Sequence, residues 1–120
     1  MKMYVETLTC PTSASQAWAA LKEMNLWLPT LSTNRAVNYD RSGDFFYQGR
    51  TYEVVTREGV TMDSEIYLVD EAEKKVEIHA SHSILKSLLT CSVERIDDHR
   101  CKLTRTQAYP GVFGFVFATF

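Results

Sequence analysis

Three kinds of side chain in this sequence could carry chemistry: the histidines His79 and His82, the cysteines Cys10, Cys91 and Cys101, and a run of polar residues that ends at Tyr109. The histidines form an H-x-x-H spacing. It lies inside "KVEIHASHS", which alternates like a strand, so residues three apart point to opposite faces and cannot converge on one ion. His99 sits in a turn signal, Asp97-Asp98-His99. No metal site is expected, and no cofactor. The cysteines are odd in number, widely spaced and without a C-x-x-C. Cys91 and Cys101 alternate with apolar strand residues, which fits buried, inert thiols. No G-x-S-x-G occurs, and Gly111-x-x-Gly114 lacks the Lys-Ser/Thr of a phosphate loop.

The polar run "RCKLTRTQAY" is more informative. On a strand, Cys101, Leu103, Arg105, Gln107 and Tyr109 share one face, and Thr104, Thr106 and Ala108 share the other. If the first set faces inward, Arg105 enters the interior and needs a carboxylate or an acidic ligand. Glu53 and Glu65 are the candidate partners on neighbouring strands. If the second set faces inward, Arg105 stands outside in a surface pair, as most arginines do. His82, at the end of the apolar face of Val76, Ile78 and Ala80, is a second candidate polar group.

Totals narrow the class. The chain has 120 residues, 45% hydrophobic and 23% charged, which suits one globular domain over residues 1–120 with a substantial core. A net charge of −2 and scattered Lys and Arg give no footprint for nucleic acid. The start, "MKMYVETLTC", does not read as a secretory signal, because Glu6 interrupts a short apolar run, and none is expected. No stretch reaches the roughly 20 apolar residues of a membrane span. A cytoplasmic protein with reduced thiols is expected.

Elements must position these groups. "KMYVETLTC" reads as a strand stopped by Pro11. "TSASQAWAALKEM" reads as a helix, with Ser13 and Gln16 at capping-box spacing and Ala14, Ala17, Trp18, Leu21 and Met24 on one stripe. Pro29 limits "NLWLPTLSTN" to one short helical turn around residues 25–28 and then a loop. From Asn34 on the pattern is β: "RAVNYD", then "DFFYQG" leading into "RTYEVVTR", a tight turn at Glu58-Gly59, "VTMDSEIYLVD", "KVEIHASHS", "SLLTCSVERI" and "RCKLTRTQAY". The chain therefore reads as one α+β domain with a mainly antiparallel sheet of six or seven strands.

One amphipathic helix cannot cover such a sheet. The apolar residues 112–120, with four phenylalanines after Pro110-Gly111, are the remaining candidate cover, read as the first turns of a helix. Those turns carry no polar cap, so the expectation is a helix cut short. Exposed aromatics there would open the option of a homodimer.

The order and spacing of these elements resemble the START-like (SRPBCC) superfamily, nearest to its polyketide cyclase/dehydrase-type members. The stretches that carry the resemblance are "TSASQAWAAL", "NLWLPTL", "YQGRTYEV", "SEIYLVDEAEKKVEIHA" and "KLTRTQAYPGVFG". The resemblance implies a helix-grip fold, in which a curved antiparallel sheet wraps a C-terminal helix and encloses an apolar cavity. It implies as partner a hydrophobic or amphipathic small molecule: a lipid, an isoprenoid or a polyketide-like compound. The expected lining is Trp27, Tyr39, Tyr52, Val54 and Ile78, with His82, Arg105 and Tyr109 as the polar groups and Phe113 and Phe117 from the tail. Trp27, the loop after it and "RSGDFF" would form the mouth. Two rival readings follow. A cyclase or dehydratase would need acid/base groups inside the cavity, drawn from Glu53, Glu65, His82, Arg105 and Tyr109. A protein-interaction module would instead show a large exposed apolar patch.

Overall fold

The structure, a computed structural model, describes residues 2–83 and 85–109. The expected C-terminal helix, with Phe113 and Phe117, lies outside the described residues. Strand β1 (Lys2–Cys10) leads into helices α1 (Ala14–Leu21) and α2 (Met24–Trp27) and a 3-10 turn, Leu28–Thr30. Six strands follow: β2 (Asn34–Asn38), β3 (Thr51–Thr56), β4 (Thr61–Asp70), β5 (Lys75–His82), β6 (Leu85–Asp97) and β7 (Arg100–Tyr109). They form one antiparallel sheet in the order β1-β7-β6-β5-β4-β3-β2. Apart from the β1–β7 closure, neighbours in the sheet are neighbours in sequence. That pattern is why short turns suffice, such as the one at Gly59, where φ is +86° and a side chain would be strained.

Alternation along the strands divides the sheet into two faces. The inner face can be read as transverse rows from the cross-strand register. One row runs Ile66–Ile78–Leu89–Gln107–Tyr4. The next is Val76–Cys91–Arg105–Glu6, and beyond it Val93–Leu103–Leu8. On the other side lies Tyr52–Ser64–Ala80–Ser87. Ile66, Val76 and Cys101 are almost wholly buried. Register shifts interrupt the pairing between Ile66 and Leu68 and between Arg95 and Asp97. Such irregularities bend the strands that carry them.

Helix α1 begins where the sequence places it. The Ser13 side chain accepts from the Gln16 backbone N–H, and Gln16 reaches back to the cap. Its buried side chains are Ala14 and Trp18. The Trp18 indole donates to Glu71 Oε2 at 2.6 Å, and Lys22 Nζ donates to Glu71 Oε1 at 3.0 Å, so the helix is tied to the β4–β5 turn as well as packed on the sheet. These two donors, the indole foremost, hold the Glu71 carboxyl below its ordinary range.

The segment before β3 departs from expectation. "DFFYQG" is not strand; it folds around Arg50, which is 2% exposed. The Arg50 guanidinium donates to the carbonyls of Phe45, Asp44 and Asp40 at 2.8, 2.6 and 2.8 Å. It also lies against the rings of Tyr47, Phe45 and Tyr39. A buried cation needs this many acceptors, because each unpaired N–H would carry its desolvation cost. The loop is thereby pinned: Phe45 enters the core, and Phe46 meets Trp18 edge-on at 5.9 Å.

Lysine cannot span three carbonyls with one ammonium. Arg50→Lys should therefore lower the unfolding free energy by about 2–4 kcal/mol, read as a lower urea midpoint at unchanged slope.

Candidate functional site

Between the inner face and the α1–α2–3-10 segment lies a cavity of about 870 Å³, within the usual range for small-molecule pockets. Its roof is Leu21, Met24, Trp27 and Leu28, continued by Leu31, Ser32 and Thr33. The Trp27 indole donates to Leu21 O at 3.3 Å, and Asn34 Nδ2 donates to Leu28 O at 3.0 Å, which fixes the roof at both ends. The floor is the apolar part of the rows: Val76, Ile78, Leu89, Cys91 and Leu103. Small residues hollow it out where Ser64, Ala80 and Ser87 lie side by side across three strands. Larger side chains in that row would fill the space.

Of the residues expected to line a cavity, Trp27, Tyr52, Val54, Ile78, Arg105 and Tyr109 do so. Tyr39 does not. Its hydroxyl accepts from Asn25 Nδ2 at 3.1 Å and its ring packs edge-on against Phe45 at 4.9 Å, in the cluster around Arg50. His82 does not line it either. It ends β5 exposed, with Nδ1 2.9 Å from Thr61 O. "RSGDFF" is not part of the mouth, since Arg50 holds it against α1 and the core. Phe113 and Phe117 lie outside the described residues.

The choice left open for β7 is settled by its neighbours. Cys101 is fully buried beside Cys10, and Leu103 packs on the core, so the face that carries Arg105, Gln107 and Tyr109 is the inner one. The expected partners Glu53 and Glu65 have the opposite parity. They pair with Asp63 and with Thr51 and His79, on the outer face. Arg105 instead faces Glu6 on β1, 3.9 Å away, with both side chains substantially exposed at 48% and 73%. That contact is longer than a hydrogen bond and well screened. The firm partner of Arg105 is Gln107, whose Oε1 accepts from Nη2 at 2.9 Å while its Nε2 donates to Ser87 Oγ at 3.1 Å. Gln107 and Ser87 were not picked out from the sequence as site residues. The alternation with Arg105 was the available signal for Gln107; nothing in "SLLTC" marks Ser87.

Burial governs the titrating groups of the cavity. It pushes the Tyr52 hydroxyl far up, against a smaller opposing hydrogen bond with Ser64. It also raises the Cys91 thiol and the Tyr109 hydroxyl, in each case opposed by the Arg105 charge. All three are neutral near pH 7, and Arg105 is the charged donor.

No known family profile matches the chain, and no curated protein matches it in sequence. Solved structures do. Truncated norcoclaurine synthase from Thalictrum flavum superposes with a TM-score of 0.79 at 15% identity, over 99% of this chain and 82% of that one. That synthase has also been solved in complex with dopamine and hydroxybenzaldehyde. A hypothetical protein from Helicobacter pylori gives 0.83 at 11% identity, over 99% and 76%. The Zhui aromatase/cyclase from Streptomyces gives 0.73 at 15%, over 92% and 70%. Identities this low speak to fold alone. The chain has the helix-grip α+β fold of these proteins, in agreement with the START-like resemblance of its sequence.

A buried tyrosine held neutral resists ionising in the fold while it ionises freely in the unfolded chain. With its folded pKa raised, the stability Tyr52 contributes is intact below its unfolded pKa of about 10 and is lost as pH rises beyond it. Thermal stability should thus fall steeply above pH about 10, and Tyr52→Phe should flatten that limb in melts taken between neutral and alkaline pH.

Proposed function

We propose that this protein binds a hydrophobic or amphipathic small molecule, of a lipid, isoprenoid or polyketide-like kind, in the cavity between the sheet and the α1–α2–3-10 roof. The observation that carries the reading is the cavity of about 870 Å³, with an apolar floor of Val76, Ile78, Leu89 and Leu103 beneath an apolar roof of Leu21, Met24, Trp27 and Leu28. A ligand there would gain roughly 25 cal/mol for each Å² of apolar surface removed from water. The neighbours support it by analogy: norcoclaurine synthase of the same fold is known with two small aromatic molecules bound. All three cysteines are free thiols, which supports a reducing compartment such as the cytoplasm. No helix among the described residues is long and apolar enough to cross a membrane.

An enzymatic reading, a dehydration or a cyclisation such as the name of the Zhui aromatase/cyclase suggests, needs a group in the cavity poised to move a proton near neutral pH. Arg105 and Tyr109 do enter it together, which favours keeping this reading second. Yet Tyr52, Cys91 and Tyr109 are pushed upward by burial, and the one carboxylate among the described lining residues is the well-exposed Glu6. Glu53, Glu65 and His82 lie elsewhere. Binding therefore leads.

The neutral polarity-sensitive dye N-phenyl-1-naphthylamine should bind one per chain with a blue-shifted emission. Leu89→Trp, which puts an indole into the middle of the floor, should weaken it about tenfold or more while leaving the circular dichroism unchanged. Failure of the dye to bind, or equal binding by the filled variant, would count against a ligand cavity here.

A further inference from the structure

We propose that the cavity is selective for apolar molecules that end in a carboxylate, with Arg105 as the anchor of the acid and Gln107 and Ser87 as its positioning residues. This rests on the binding reading above and names the chemistry of its ligand.

Charge on the lining is the first argument. Among the described residues that line the cavity, Arg105 is the one cation and Glu6 the one anion. The two are 3.9 Å apart, so no carboxylate of the described residues lies within hydrogen-bond distance of the guanidinium. Its direct acceptor is a neutral amide, Gln107 Oε1 at 2.9 Å. A neutral acceptor orients a guanidinium without cancelling its charge. Arginine presents five N–H groups in a planar fork, and the pairing that uses two of them at once is with a carboxylate.

Orientation is the second. Gln107 is itself held, because its Nε2 donates to Ser87 Oγ at 3.1 Å across the β6–β7 pair. Ser87 is 7% exposed and sits in the hollowed row beside Ala80. The chain Ser87–Gln107–Arg105 therefore runs from the floor of the hollow to the guanidinium and sets its direction.

Placement is the third. Arg105 stands at the β1 side, where Leu8 is 62% exposed and the guanidinium side chain is 48% exposed. A bound acid can keep its head partly in water there, which limits the desolvation cost of the carboxylate. Its apolar body would extend the other way, over Leu89 and Ile78 and under Met24 and Trp27. Glu6 competes for the same cation, so it opposes an acid ligand and sets the upper limit on its affinity.

Dodecanoate and dodecanol, alike in tail and different in head, test the assignment by displacement of the naphthylamine dye from the full chain. The wild type should prefer the acid by about tenfold or more. Arg105→Gln should bring the ratio close to one, Arg105→Lys should keep part of it, and Glu6→Gln should widen it. Melting temperatures confirm that each variant is folded. If the dye and dodecanol bind and the acid shows no preference, or if Arg105→Gln keeps the preference, the carboxylate assignment is overturned while the cavity reading stands. If dye, acid and alcohol are all refused, both fall together.

Discussion

A seven-stranded sheet has two faces, and the helical elements among the described residues, two short helices and one 3-10 turn, do not pack against the whole of either. That mismatch between sheet area and helical cover is the constraint on which the rest depends. Where α1 lies, the contact is dense, with Ala14 and Trp18 buried. Away from it the roof passes over the floor without filling it, and the row Ser64–Ala80–Ser87 withholds the large side chains that would close the gap. The void arises from small residues placed in register under a roof held at its ends. It therefore needs several strands to agree, and no local motif specifies it.

The same register decides what the cavity can do. Period two along β7 carries Cys101 and Leu103 into the core and, two and four residues later, Arg105 and Gln107 into the space beside it. A shift of one residue would have turned Thr104, Thr106 and Ala108 inward and taken Arg105 and Gln107 out of the cavity. That slip would be costly, because it would carry Cys101 and Leu103 out of the core. The polarity of the site is thus a consequence of how the sheet edge closes.

Much of the scaffold was legible in the sequence. The Ser13–Gln16 box, the short turn before Pro29, the Glu58-Gly59 hairpin and the seven strands follow from local rules that hold within a few residues. What could not be read locally was which face of β7 is inner, since Cys-Leu and Thr-Ala sets both suit a core. Glu53 and Glu65 were expected beside Arg105 because strand order alone does not give parity across a β-bulge. Tyr39 went astray for a different reason: its environment is built by Arg50, and nothing in "YQGR" announces that the arginine turns back to collect three carbonyls. His82 ends its strand, where alternation no longer controls direction, and a neighbouring carbonyl takes its ring. Residues 110–120 carried the strongest compositional signal of all and lie outside the described residues.

The central claim is that open apolar space persists between floor and roof. Xenon enters dry apolar cavities and is readily seen by diffraction, so crystals pressurised with xenon give the most direct measurement. Xenon should lie over Ile78, Leu89 and Leu103, beneath Met24 and Trp27, and Leu89→Trp should abolish it. Side chains meeting there without a gap, and no xenon under pressure, would contradict it.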